Sequence, residues 1–167
     1  MPMKLKNLFL LTGPAGCGKS TWAKEDSKHK ENAIIISRDT IRFSLLGEND
    51  DYFAKEDEVV ETFYKEINKA IEDSNYENIY VDATHLTHKA RNKTLAAINH
   101  NLDKINIIPI AFITSTEDCI RNNANRSGRA NVPNTVIKKM CAAYEIPTHS
   151  EKYTYDHILI HPNNERS

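Results

Sequence analysis

The sequence predicts an α/β fold with helices on both faces of a central, mainly parallel, five-stranded sheet. Three observations carry the prediction. Short apolar runs alternate with longer amphipathic stretches from end to end; the runs are mostly aliphatic or β-branched, as strands covered on both faces should be; and the stretches between them repeat apolar residues at helical spacing.

The strands are expected at Leu8–Leu11, Ala33–Ile36, Ile79–Val81, Ile105–Ile113 and His157–Ile160. A first helix opens near Lys19, straight after the first run and a glycine-rich turn. In Lys55–Ser74, residues Val60, Phe63, Ile67 and Ile71 recur at steps of three and four and mark one buried face. Further helical patterns span Thr87–Asn99, Glu117–Asn125 and Pro133–Tyr144, where Pro133 suits a first helical turn. Asn125–Asn131, reading N-R-S-G-R-A-N, is expected to be a mobile loop, and the polar tail from Asn163 to fray. No repeat or interdomain linker breaks the pattern, so residues 1–167 are expected to form one domain.

Composition narrows the function classes. The chain is 40% hydrophobic and 27% charged, and 22 basic residues against 23 acidic ones leave a net charge of −1. A nucleic-acid partner would therefore have to meet a local basic patch, because no global positive field exists. Cys17, Cys119 and Cys141 are odd in number and lack C-x-x-C spacing, which suggests neither a disulfide framework nor a structural zinc site. The longest apolar run is broken by Asn106 and Pro109 and is too short for a bilayer, and no cleavable leader precedes the first strand, so a cytoplasmic protein is expected.

Gly13-Pro14-Ala15-Gly16-Cys17-Gly18-Lys19-Ser20 fits G-x-x-x-x-G-K-[ST] at every fixed position, between a strand and a helix. This is the P-loop pattern, and it makes the expected architecture a three-layer P-loop NTPase fold. Glycines let the backbone curl so that its N–H groups point inward, forming an anion nest at a helix N-terminus. The residues expected against the nucleotide are Gly13, Ala15, Gly16, Cys17, Gly18, Lys19, Ser20 and Thr21. Lys19 would bridge the β- and γ-phosphates of ATP or another triphosphate, and the Ser20 hydroxyl would ligate Mg²⁺. Asp82, ending the run Ile79-Tyr80-Val81-Asp82, stands at the carboxyl edge of a strand, where it could help hold the magnesium or cap the following segment.

Guanine-reading N-K-x-D is missing: Asn68-Lys69 and Asn92-Lys93 are followed two places on by Ile71 and Leu95. Evidence for a kinase is Ser37-Arg38-Asp39-Thr40-Ile41-Arg42, directly after the second strand, whose end is expected beside the P-loop. Asp39 there could accept the proton of an attacking hydroxyl. Arg42 falls on the same helical face and could bind an anionic group on the acceptor, or simply pair with Asp39. Arg121, Arg126, Arg129 and Pro133 surround the loop and suit a lid over the triphosphate, at residues 121–133.

These blocks together resemble the phage-type polynucleotide 5′-kinase domain and its relatives among small P-loop kinases. The resemblance covers Gly13–Ala23, Ser37–Arg42, Val81–His85 and the lid Cys119–Pro133, in order along nearly the whole chain, and it covers the kinase half only. It implies Lys19 and Ser20 on the nucleotide, Asp39 as general base, Arg42 on the acceptor's 3′-phosphate, Asp82 as the strand-end acid and Arg126 as the lid arginine. The implied partner is a 5′-OH nucleic acid or oligonucleotide. A kinase of a small hydroxylated metabolite, nucleoside or antibiotic shares the scaffold, and a nucleotide-binding regulator is the third expectation. Two departures stand out. His85 replaces the Asn of the family's D-x-T-N, and Arg121 and Arg126 are five apart, about 140° out of register on a helix, with Asn122 at the expected spot.

Outside these blocks, His85 and His88 are expected as caps or surface residues, Trp22 and Tyr80 as core, and Tyr52, Phe53 and Tyr64 as core, with stacking on an acceptor base as their alternative. Cys17 would be a reactive thiol if the helix N-terminus lowered its pKa.

Overall fold

Alternation along the first strand divides the core in two. In β1 (Lys6–Thr12), Leu8 and Leu10 join one buried cluster while Phe9 and Leu11 join another, as the period of two requires. The computed structural model describes residues 5–126, 128, 131–148, 151 and 153–162. Beside β1 lie β2 (Ala33–Ser37), β3 (Asn78–Asp82), β4 (Ile105–Phe112) and β5 (Ile158–Ile160), in the order β2-β3-β1-β4-β5 with every neighbouring pair parallel. The result is a three-layer α/β fold of the P-loop NTPase type.

The helices are α1 (Lys19–Ser27), α2 (Arg38–Leu45), α3 (Glu56–Glu72), α4 (His88–Ala96), α5 (Thr116–Ala124) and α6 (Asn134–Ala143). Leu8 and Leu10 share their cluster with Phe63 and Ile67 of α3 and Leu95 of α4. Phe9 and Leu11 share theirs with Ala23 of α1, Cys119 of α5 and Ile137 of α6. No helix among the described residues is long and apolar enough to cross a membrane.

Local chemistry sets the helix starts. Ser37, Thr87 and Ser115 each accept a backbone N–H from three residues on, capping α2, α4 and α5. Three acids, Glu56, Asp57 and Glu58, fill the first turn of α3, where the helix dipole favours negative charge.

Four expectations are corrected. The buried face of α3 runs through Val59, Phe63, Ile67, Ala70 and Ile71, so Val59 takes the place expected for Val60, which lies one residue around the helix. Pro133 caps α6 from outside instead of occupying its first turn. Strand β5 lies at the sheet edge with Ile158 45% and Leu159 46% exposed, so it is not a buried strand. The end of β2 is not next to the P-loop strand: Ser37 pairs with Asp82, and β3 stands between. Ser127, Arg129 and Ala130 of the expected lid, and the tail from Asn163, lie outside the described residues.

Candidate active site

Three neighbouring strands deliver polar ends to one cleft of about 1030 Å³. Strand β1 leads into the P-loop, β3 ends on Asp82, and β2 hands over to α2. The carboxyl edge of the sheet, at the strand where the order changes direction, is where open α/β sheets bind ligands.

Gly16 and Gly18 have φ of 81° and 98°, backbone that side chains rarely tolerate. A Cβ on Gly16 would sit 2.4 Å from the Cys119 carbonyl oxygen, so α5 can approach the loop only because that position has no side chain. Gly18 also opens α1 without a side-chain cap, leaving the first N–H groups of the helix open to an anion. Lys19 is buried, and its ammonium donates to the carbonyls of Gly13 at 2.8 Å and Pro14 at 2.9 Å. Ala15, Gly16, Gly18, Lys19, Ser20 and Thr21 line the cleft. Gly13 and Cys17 do not; both are buried beneath the loop. Burial pushes the Cys17 thiol up, more than Lys19 pulls it down, so the lowered pKa on which its reactivity depends is not met.

The Ser20 hydroxyl donates to Asp82 Oδ2 at 2.7 Å, joining the P-loop to the end of β3. Two oxygen donors side by side suit a hard cation such as Mg²⁺, which keeps several waters and takes phosphate oxygens besides one or two protein ligands. Among the described residues no group of three or more His, Cys, Asp or Glu could hold a metal ion.

Asp39 faces the cleft from the first turn of α2. Its Oδ1 accepts from the Tyr52 hydroxyl at 2.6 Å and from Arg42 Nη1. Burial, and then the Asp39 charge, hold the Tyr52 hydroxyl well above its ordinary pKa, so it remains a donor. Arg42 is 4% exposed, and Nη1 also donates to Tyr52 while Nη2 donates to both oxygens of Glu56, at 2.8 and 2.7 Å. Both terminal nitrogens of Arg42 are thus held by side chains of this protein. Instead of standing free as an acceptor clamp, the guanidinium braces the carboxylate, and an acceptor phosphate would have to displace Glu56. The other Asp39 oxygen, Oδ2, lies 3.9 Å from Arg126 Nη2, which reaches across from the end of α5.

Arg126 therefore lines the cleft, whereas Arg121 is exposed and pairs with Asp118 at 2.6 Å. Asn122, one residue on, donates to the Gly16 carbonyl at 2.9 Å and ties α5 to the P-loop. Its place at the register position expected for an arginine was the signal for this contact.

Histidine 85 corrects another expectation. It is 2% exposed, with φ of 42°. Nδ1 lies 2.9 Å from the Leu11 carbonyl, which can only accept, so that nitrogen carries the proton and Nε2 accepts from the Thr94 hydroxyl at 2.9 Å. Its own carbonyl accepts from Thr12 Oγ1 and Arg91 Nη1. His88 is the half-exposed member of the pair, 3.1 Å from Glu151. Trp22 is partly buried, edge-on to Tyr80 and Phe112, and Tyr80 is core as expected. Phe53 is not core; it is 63% exposed. Tyr52, Glu56 and Arg38 also line the cleft; Tyr52 was expected as core with an acceptor-facing ring as the alternative, Arg38 adjoins Asp39, and nothing in the sequence pointed to Glu56.

A family model described as "AAA domain" matches residues 8–147, well over half of the chain. No curated protein matches the sequence. Among solved structures, one similar in fold comes from the Pnkp1/Rnl/Hen1 RNA repair complex, with a TM-score of 0.70 at 19% identity. The match covers 85% of this chain and 45% of the other, so the chain spans about half the length of that relative. A fungal RNA kinase gives a TM-score of 0.65 at 16% identity, covering 100% of this chain and 81% of the other. A gluconokinase from Sinorhizobium meliloti gives 0.57 at 13% identity, covering 95% and 84%. At these identities the likeness is one of fold.

Proposed function

We propose, from the premise that the chain belongs to the AAA domain family, that it is an ATP- and Mg²⁺-dependent kinase of the 5′-hydroxyl of a polynucleotide or oligonucleotide. The observation that carries the proposal is Asp39, with one oxygen fixed by Tyr52 and Arg42 and the other turned toward Arg126, in the same cleft as the P-loop. A P-loop alone argues for nucleotide binding; a braced carboxylate facing it argues for a hydroxyl acceptor.

In this mechanism the P-loop backbone and Lys19 hold the triphosphate, and Ser20 and Asp82 would hold the magnesium. That ion, when bound, neutralises charge on the phosphates. Asp39 Oδ2 takes the proton of the acceptor hydroxyl as its oxygen bonds to the γ-phosphorus and the bond to the leaving diphosphate breaks. Lys19 answers charge on the diphosphate, and Arg126 answers charge on the transferring group.

Acceptor choice tests the proposal. Transfer to a nucleoside 3′-monophosphate should exceed transfer to the free nucleoside and to simple sugars, because its phosphate would take Arg42 from Glu56 in a charge-assisted contact, worth about 1.5–3 kcal/mol before the Glu56 pair is given up. Equal use of nucleoside and nucleotide, or preference for a sugar, would favour a small-metabolite kinase; no transfer to any hydroxyl would favour a regulator.

A further inference from the structure

Among the described residues, Leu5, Phe53, Ile146, Tyr155, Ile158 and Leu159 are the large hydrophobic side chains left exposed. Phe53 alone of these lines the cleft. Scattered surface hydrophobes need no explanation, but one set into the wall of a ligand cleft beside a braced carboxylate does.

Its attachments define where it stands. The Phe53 ring meets Tyr52 edge to face, with centroids 4.7 Å apart and planes at 85°. The Arg42 guanidinium carbon lies 5.6 Å from the Phe53 centroid and 4.3 Å from that of Tyr52. Tyr52 and Arg42 are the two donors that hold Asp39 Oδ1, so the exposed ring is linked to the proposed base through the same two side chains. It therefore belongs to the acceptor's end of the cleft. A flat hydrocarbon face offers no hydrogen bonds to a polyol, but it gives a planar heterocycle a surface on which to stack.

We infer that Phe53 is a stacking platform for the nucleobase attached to the accepting sugar, and that it selects hydroxyls carried on a sugar–base unit over those of plain sugars. The inference rests on the proposed transfer to a nucleotide hydroxyl and adds to it the residue that recognises the base. Stacking is indifferent to base identity, so the platform would admit all four bases at similar efficiency.

The test compares adenosine 3′-monophosphate with its abasic counterpart, which carries hydrogen in place of the base. Wild type should favour the base-bearing acceptor by about 5- to 150-fold in kcat/KM, the equivalent of one base–aromatic stack. Phe53→Ala should erase that preference by raising KM for the nucleotide, with kcat and the abasic acceptor little changed. Phe53→Trp should keep the preference, and Phe53→Leu, apolar but not planar, should behave like the alanine variant. The fluorescence of 2-aminopurine riboside 3′-monophosphate should be quenched on binding wild type and not on binding Phe53→Ala. Equal loss on both acceptors would mean that Phe53 only supports Tyr52 and Arg42 and would overturn the inference. No loss would overturn it as well, while transfer to the nucleotide by wild type would leave the proposed function standing. Transfer by wild type to sugars alone would remove both.

Discussion

Asp39 is the residue on which the proposed chemistry turns, and its neighbours explain its geometry. Tyr52 and Arg42 occupy Oδ1, leaving Oδ2 as the oxygen that can receive a proton. Glu56 in turn holds Arg42 with both oxygens, so a buried cation is compensated by two carboxylates. Asp39→Asn keeps the shape and removes the proton acceptor, and should lower kcat by about 10²–10⁴-fold with triphosphate affinity unchanged. Tyr52→Phe removes one donor to the Asp39 carboxylate and leaves Arg42 bonded to it; a hydrogen bond to a charged group is worth about 1.5–3 kcal/mol, so kcat should fall by no more than about 150-fold. Single-turnover rates with triphosphate titrations check both. A larger loss in Tyr52→Phe than in Asp39→Asn would take the proton-accepting role away from Asp39.

At the scale of elements, α5 joins the phosphate cradle to the opposite wall. Asn122 bonds the Gly16 carbonyl, and Asn123 bonds both the Val132 carbonyl and N–H, which fastens the chain beyond α5 back onto the helix. Arg126 should matter accordingly: Arg126→Ala should lower kcat by about 10²-fold or more. Arg121→Ala breaks only an exposed pair with Asp118, worth at most about 1 kcal/mol, and should leave turnover near wild type. Steady-state rates of the two variants decide it; a more damaging Arg121→Ala would contradict the arrangement. Most of this scale was legible in the sequence. Glycine and lysine positions named the cradle, aliphatic runs named five strands, and the Asp39–Arg42 spacing put both on one helical face. Illegible were contacts made across sequence distance. Nothing local told that Glu56 and Tyr52 would converge on Arg42, that a histidine would be buried under β1, or that Phe53 would face solvent while Val59 faced the core. Helical spacing fixes a face only to within one residue, and aromatic residues serve cores and ligand walls alike.

At the scale of the whole molecule, a buried polar network locks the C-terminal segment beneath the strand that leads to the P-loop. Arg91, fully buried, donates to Glu151 at 2.7 Å, to the His85 carbonyl at 2.8 Å and to Thr12 Oγ1 at 3.2 Å. Tyr144 closes the network by donating to the Thr12 carbonyl at 2.9 Å. Burial, with Arg38 nearby, pushes the His85 pKa down to about 3. Between that value and about 6.5 the unfolded chain binds a proton that the folded one refuses, so stability falls as pH drops through this window. Glu151 acts in the same direction. Burial alone would raise its pKa, but hydrogen bonds from Arg91, Tyr153 and the Thr148 N–H bring it below its ordinary value. Its contribution is present above about pH 4.3 and is lost as pH falls further. Urea unfolding should therefore show about 2 kcal/mol less stability at pH 5 than at pH 7 from His85 alone. His85→Asn should flatten that slope, and an unchanged slope in the variant would contradict the buried neutral histidine.

The central claim is that this cleft moves the γ-phosphoryl group of ATP to a 5′-hydroxyl. The most direct measurement is incubation of the protein with γ-labelled ATP, Mg²⁺ and single-stranded 5′-OH oligonucleotides, DNA and RNA in parallel, followed by phosphatase and nuclease mapping of the label. The account predicts a labelled 5′-terminal phosphomonoester in wild type and none in Lys19→Ala, whose missing ammonium can no longer answer charge on the β- and γ-phosphates. Wild-type protein that binds ATP but leaves both oligonucleotides unlabelled, or a folded Lys19→Ala protein that labels them at the normal rate, would contradict it.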